Sequence, residues 1–122
     1  MKIGKLRQII LYVEDMQKQV DFYRTKIGLK IQYPIQDDYS EEAWVAFDTG
    51  ECTFALHSGG KGRIGEDSPK FTFEVQNVEE SVAELREKGV KLGEIREAYP
   101  GSFVVHGYDE EGFTFFIQSY PS

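Results

Sequence analysis

Basic charge is scarce in this sequence: 14 Lys and Arg stand against 21 Asp and Glu in 122 residues, a formal charge of −7. Such a field repels a duplex nucleic acid unless the cations are segregated, and no basic stripe runs along the chain, so nucleic acid is not an expected partner. Long apolar runs are missing as well. The hydrophobic stretches are strand-sized and interrupted by charges, well short of the ~20 residues that cross a bilayer, so no membrane partner is expected. The opening MKIGKLRQIILYVED does not have the layout of a signal peptide, which points to a cytoplasmic protein. Cysteine is almost absent. Cys52 by itself cannot close an intrachain disulfide, in keeping with a reducing compartment.

Bulky apolar side chains are plentiful. Nine Phe, seven Tyr and one Trp supply enough surface to offset chain entropy, which excludes a disordered polymer, and the length suits a single domain. The chain repeats itself inside that domain. When Leu6–Ile31 is laid over Ser68–Leu92, Val13 falls on Val75, Asp15 on Asn77, Met16 on Val78 and Val20 on Val82, and Gly28 meets Gly89 after a slip of one residue. Further on, Thr53-Phe54-Ala55-Leu56 lies over Thr114-Phe115-Phe116-Ile117, and Asp48 over Asp109. Two copies of one unit do not make a solenoid.

Each copy opens with an alternating strand that gives way, at a capping residue, to helical spacing. Asp15 and Asn77 are the caps. Met16, Val20, Tyr23 and Ile27 form one apolar stripe, and Val78, Val82 and Leu85 another. Glu80 occupies the capping-box position, whereas Lys18 in the first copy does not suit it. Gly28 and Gly89 provide left-handed stops. Three strands are then expected in each half: 30–33, 43–47 and 52–57, followed by 91–95, 103–108 and 113–118. Asp48-Thr49-Gly50-Glu51 and Asp109-Glu110-Glu111-Gly112 read as hairpin turns. The glycine-rich stretch from Ser58 to Gly65 lacks the ending of a phosphate loop and reads as a linker. The expected organisation is one domain spanning 1–122, with module one at 1–57, a linker at 58–69 and module two at 70–122.

Strand parity separates two faces. Phe71, Phe73 and Val75 are assigned to the helix side, and by the repeat so are Ile9, Leu11 and Val13. Phe54, Leu56, Phe115 and Ile117 join them. Gln8, Ile10 and Tyr12, with Thr53, Ala55 and His57, are left on the other face; in the second half it holds Lys70, Thr72, Glu74, Thr114, Phe116 and Gln118. A face that mixes polar and aromatic groups is either solvated or lines a concave pocket.

The paired strand-helix-three-strand layout, with the opening QIILYVEDMQKQVDFYRTKIGL and the closing GYDEEGFTFFIQ, resembles the vicinal oxygen chelate superfamily of glyoxalases, extradiol dioxygenases, fosfomycin-resistance transferases and bleomycin-resistance proteins. Val13, Asp15, Phe22, Tyr23, Gly28 and Leu29 carry the resemblance in the opening, as do Asp109 and Gly112 near the end. It implies an α+β fold of two tandem βαβββ modules forming a curved mixed sheet or half-barrel pair with a concave pocket. Homodimers are common in the superfamily, so one is expected here. Metal-using members hold their ion at four positions that correspond to Gln8, Ala55, Lys70 and Phe116. Of these only Gln8 can coordinate a divalent ion, so no metal and no cofactor is expected at that site.

The remaining candidates point to a bound small molecule. Tyr12, Trp44 and Phe116 offer flat walls to an aromatic or cationic compound, and Gln8, His57, Lys70, Glu74 and Gln118 offer polar contacts. The expected function is metal-independent binding that sequesters a basic or aromatic small molecule, similar to the bleomycin-resistance branch. Its alternative is a glyoxalase- or dioxygenase-like enzyme with a displaced metal site, acting on a small carbonyl or aromatic substrate, for which Glu74 and His57 are the candidate bases.

Overall fold

The computed structural model describes residues 1–2, 6–61 and 68–121, so positions 62–67 of the expected linker lie outside the described residues. The chain divides into two compact units, Met1–Arg63 and Ile64–Ser122. In the first, β1 (Gln8–Val13) leads into helix α1 (Met16–Asp21) and a π-helical segment (Phe22–Ile27), followed by β2 (Lys30–Tyr33), β3 (Trp44–Asp48) and β4 (Thr53–Ser58). The strand order is β1-β4-β3-β2, with β1 parallel to β4 and the other pairs antiparallel. The second unit repeats the plan with β5 (Phe71–Glu74), α2 (Val78–Glu87), β6 (Lys91–Leu92), β7 (Arg96–Tyr99), β8 (Ser102–Tyr108) and β9 (Thr114–Ser119). Its order is β5-β9-β8-β6, with β5 parallel to β9 and β7 also paired to β8. Both sheets are mixed and open, which makes the protein α+β, and no helix among the described residues is long and apolar enough to cross a membrane.

Local chemistry explains the starts and stops. The Asp15 carboxylate accepts a hydrogen bond from Lys18 N at 3.1 Å, and the Asn77 side chain accepts one from Glu80 N at 3.0 Å. Each satisfies a backbone donor that the first helical turn leaves unpaired. Gly28 and Gly89 end the helical segments at φ 91° and 80°, a region that costs a residue with a Cβ. The Asp109 carboxylate, 7% exposed, accepts from Glu111 N and Phe113 N at 2.9 Å each and so fixes the β8–β9 turn.

Each unit has its own core on the helix side of its sheet. In the first, Leu11, Val13, Met16, Val20, Phe22, Tyr23, Phe47, Phe54 and Leu56 are buried. The Tyr23 ring meets Phe54 edge-on at 5.0 Å and Phe22 at 5.1 Å. In the second, Phe71, Val78, Val82, Leu85, Val105, Phe115 and Ile117 are buried. Burying a side chain of this size contributes about 1.5–3 kcal/mol, so these residues dominate the stability of both units.

Three details differ from the sequence expectation. The first helix does not keep the α-helical period, because its second half winds as a π-helix in which the consecutive residues Phe22 and Tyr23 are both buried. The strand expected at 91–95 stops at Leu92, and the chain pairs again with β8 as a separate strand, Arg96–Tyr99. Gly93 sits at the break: a Cβ there would lie 2.0 Å from Cε1 of His106, so only glycine lets the imidazole rest against this backbone. Pro100 and Gly101, the latter at φ 87°, close the added β7–β8 hairpin. Finally, the run Asp37, Asp38, Glu41 and Glu42, which reads from sequence as a solvated loop, does lie in a loop but is anchored by a buried Tyr39 that the charge pattern does not reveal. That residue is 1% exposed, its hydroxyl donates to Pro34 O at 2.7 Å, and its N–H donates to Gln17 Oε1 at 2.6 Å.

Candidate functional site

Pairing register decides which side chains on the face opposite the helices become neighbours. In the first unit Tyr12 is opposite His57 across β1–β4, and Trp44 is opposite the same His57 across β3–β4. Three aromatic side chains therefore form one row across three adjacent strands. The Tyr12 and His57 rings stack with centroids 4.5 Å apart and planes at 26°, while Trp44 meets His57 edge-on at 6.2 Å and 86°. Tyr12 is 54% exposed, and Trp44 and His57 are half-buried. The next row runs Ile10, Ala55, Ala46 and, past an irregularity in β2, Tyr33. Two buried methyl groups thus lie between an exposed Ile10 and an exposed Tyr33. Gln8 is opposite Thr53 in the row beyond, at the exposed start of β1.

Gly60 secures this end of the face. Its N–H donates to Val13 O at 2.9 Å, and a Cβ at that position would lie 2.6 Å from Tyr12 O. The chain leaving β4 can therefore pass over the end of β1 only as glycine.

The corresponding face of the second unit mixes polar and aromatic side chains. Glu74 is opposite Gln118, which is opposite Val104, and Thr72 is opposite Phe116, which is opposite His106. Glu74 is exposed. Gln118 donates from Nε2 to Ser102 Oγ at 3.0 Å, and that hydroxyl donates to Ser119 O at 2.7 Å. Lys70 precedes β5, is exposed, and donates from Nζ to Ser68 O at 3.2 Å. His106, whose facing is ambiguous from sequence, belongs to this face beside Phe116 and meets Tyr108 edge-on at 5.6 Å. Thus the structure joins Tyr12, His57 and Trp44 in one group and Glu74 with Gln118 in another, and leaves Gln8 and Lys70 at the beginnings of their strands. Strand alternation identified these faces; the neighbours across strands come from register, which one-dimensional periodicity does not contain.

A depression of about 370 Å³ lies elsewhere in the second unit, at the start of α2, lined in part by Val78, Ile95, Arg96, Phe103 and Ser119. None of the expected site residues borders it. Its wall includes β7, the strand the sequence did not announce.

The residues present do not suit the divalent ion that the fold family uses. The four corresponding positions carry an amide at Gln8, a fully buried methyl at Ala55, an ammonium at Lys70 and a phenyl ring at Phe116. One neutral oxygen is too little for a hard or borderline cation, and an ammonium group offers it no lone pair. Among the described residues no group of three or more His, Cys, Asp and Glu is arranged to hold a metal.

Two modules of strand, helical segment and returning strands, with an aromatic row on the face away from the helix, define a class of small paired-module α+β proteins. The sequence model of the Glyoxalase/Bleomycin resistance protein/Dioxygenase superfamily matches residues 5–117, and the chain belongs to that superfamily. It is 36% identical over 99 residues to the uncharacterized protein YraH of Bacillus subtilis (strain 168), covering 71% of this chain and 74% of the relative. Among solved structures it is similar to TnmS3, an antibiotic binding protein from Streptomyces sp. CB03234, with a TM-score of 0.78 and 18% identity over 100% of this chain and 99% of that one. It is also similar to lactoylglutathione lyase from Agrobacterium tumefaciens, with a TM-score of 0.73 and 17% identity over 98% and 96% of the two chains. At these identities the structural likeness establishes the fold.

Proposed function

We propose that the protein binds a basic or aromatic small molecule without a metal ion, as a cytoplasmic homodimer in which the two modules of each chain act as one domain. The observation that carries this reading is the row of Tyr12, His57 and Trp44, an aromatic surface with an exposed tyrosine at one end and a half-buried tryptophan at the other. Such rings contribute large contact area at little conformational cost, and their faces attract cations as well as other rings. The formal charge of −7 adds a long-range attraction for basic compounds. That TnmS3 is an antibiotic binding protein fits this reading.

The test is calorimetry with a panel of aromatic amines, planar heterocycles and cationic glycopeptides, repeated on a Tyr12→Ala, Trp44→Ala double variant. Saturable binding by the native chain, lost in the variant, is the expected result. Silence across the panel would remove the proposal. Stoichiometric metal in the purified protein, lost on His57→Ala, would replace it with the enzymatic alternative.

A further inference from the structure

Resting on that reading of the first unit's face, we infer that His57 selects the ligand by accepting a hydrogen bond at Nε2, so that the preferred compound is a planar aromatic with an N–H or O–H donor at its edge. The Nδ1 atom lies 2.7 Å from Ser58 O. A carbonyl oxygen can only accept, so Nδ1 carries the proton, and in the neutral ring Nε2 is left as a lone pair. Among the described residues Nε2 has no hydrogen-bond partner. Both neighbouring strands press a ring against this imidazole: Tyr12 covers one face at 4.5 Å, and Trp44 stands edge-on at 6.2 Å. With Nδ1 held by Ser58 O, Nε2 is the imidazole nitrogen left to meet a ligand.

The energetics favour discrimination by donor. A flat ligand laid on Tyr12 or Trp44 displaces water from around Nε2. A compound with a donor replaces the lost hydrogen bond, and one without a donor leaves a desolvated acceptor unpaired. The expected preference is about tenfold. Tyr12 and Trp44 accept either compound, because stacking depends on area, so they set affinity while His57 sets selectivity.

Indole and benzofuran separate these contributions, since the two have nearly the same shape and differ in an N–H donor against a ring oxygen. Calorimetry on the native protein is expected to show indole binding about tenfold more tightly, and His57→Phe, which keeps an aromatic ring without an acceptor, is expected to bind both equally. Long-range ¹H–¹⁵N NMR of the native protein supplies a readout that needs no variant. The free protein should show the Nδ1–H tautomer of His57, and its Nε2 resonance should move with indole but not with benzofuran. Equal affinity for the two compounds in the native protein, or an Nε2–H tautomer, would overturn this role of His57 and leave the aromatic surface standing. Failure of both compounds to bind would overturn the two together.

Discussion

The two halves share one plan of strand, helix and returning strands under different side chains. In the first, register places Tyr12, His57 and Trp44 in one row; in the second, the positions equivalent by repeat and by pairing are Glu74, Gln118 and Val104. The helix-facing sides did not diverge in this way: Val13 and Val75, Phe54 and Phe115, and Leu56 and Ile117 keep their apolar character in both copies. A core residue is constrained by close packing against its helix, which tolerates volume-conserving changes and little else. The opposite face has no such constraint. Duplication therefore left one scaffold with two independently adjustable surfaces: the first aligns three aromatic rings across three strands, and the second pairs Phe116 with His106 beside a row of Glu74, Gln118 and Val104.

The largest effects should come from the part of the comparison that is conserved. Phe54→Ala and Phe115→Ala, at equivalent positions 5% and 0% exposed, should each destabilise the fold by about 3–5 kcal/mol in urea denaturation. A loss below 1 kcal/mol at either one would show that the two cores are not equivalent. Next comes an exchange of rows. Tyr12→Glu with His57→Gln places the second unit's chemistry on the first and should weaken binding of aromatic amines at least tenfold by calorimetry, about 1.4 kcal/mol, with the circular dichroism spectrum unchanged. Retained binding would move the ligand away from this row.

Smaller again are the helix caps. Asp15→Ala and Asn77→Ala each remove one hydrogen bond to the first helical turn, at 3.1 and 3.0 Å, and each should lower stability by about 1 kcal/mol. The smallest effect concerns Asp38 in the loop that the second unit lacks. Hydrogen bonding by the Ser40 N–H, then by the Ser40 side chain, holds this carboxyl below its ordinary value of 3.8. A lowered carboxyl stabilises the folded state at neutral pH, and this contribution fades as pH falls through the lowered value. Carbon-detected NMR titration should place its midpoint below that of an exposed aspartate, and Ser40→Pro, which removes the N–H, should raise it.

Much of the scaffold is legible in the sequence because the signals are local. Asp15, Asn77, Gly28 and Gly89 act on the turn in which they stand, and alternation along Phe71–Glu74 sorts its residues by face without reference to any other strand. The π-helical segment and β7 escaped for the opposite reason. Phe22 and Tyr23 both turn inward to meet a core built by distant strands, and Arg96–Tyr99 becomes a strand only because β8 offers it an edge. The loop anchor Tyr39 depends on Gln17, which lies 22 residues earlier.

The amino-acid order alone determined that this chain would fold as a strand-helix-strands unit repeated twice, and which residues would face each helix. Periodicity, caps and residue chemistry are properties of neighbouring positions. Tertiary structure decided that Tyr12, His57 and Trp44 stand side by side and that Ile10, Ala55, Ala46 and Tyr33 form the next row. Those outcomes depend on the alignment of β1, β2, β3 and β4, and strands far apart in sequence acquire a register only when their cores pack.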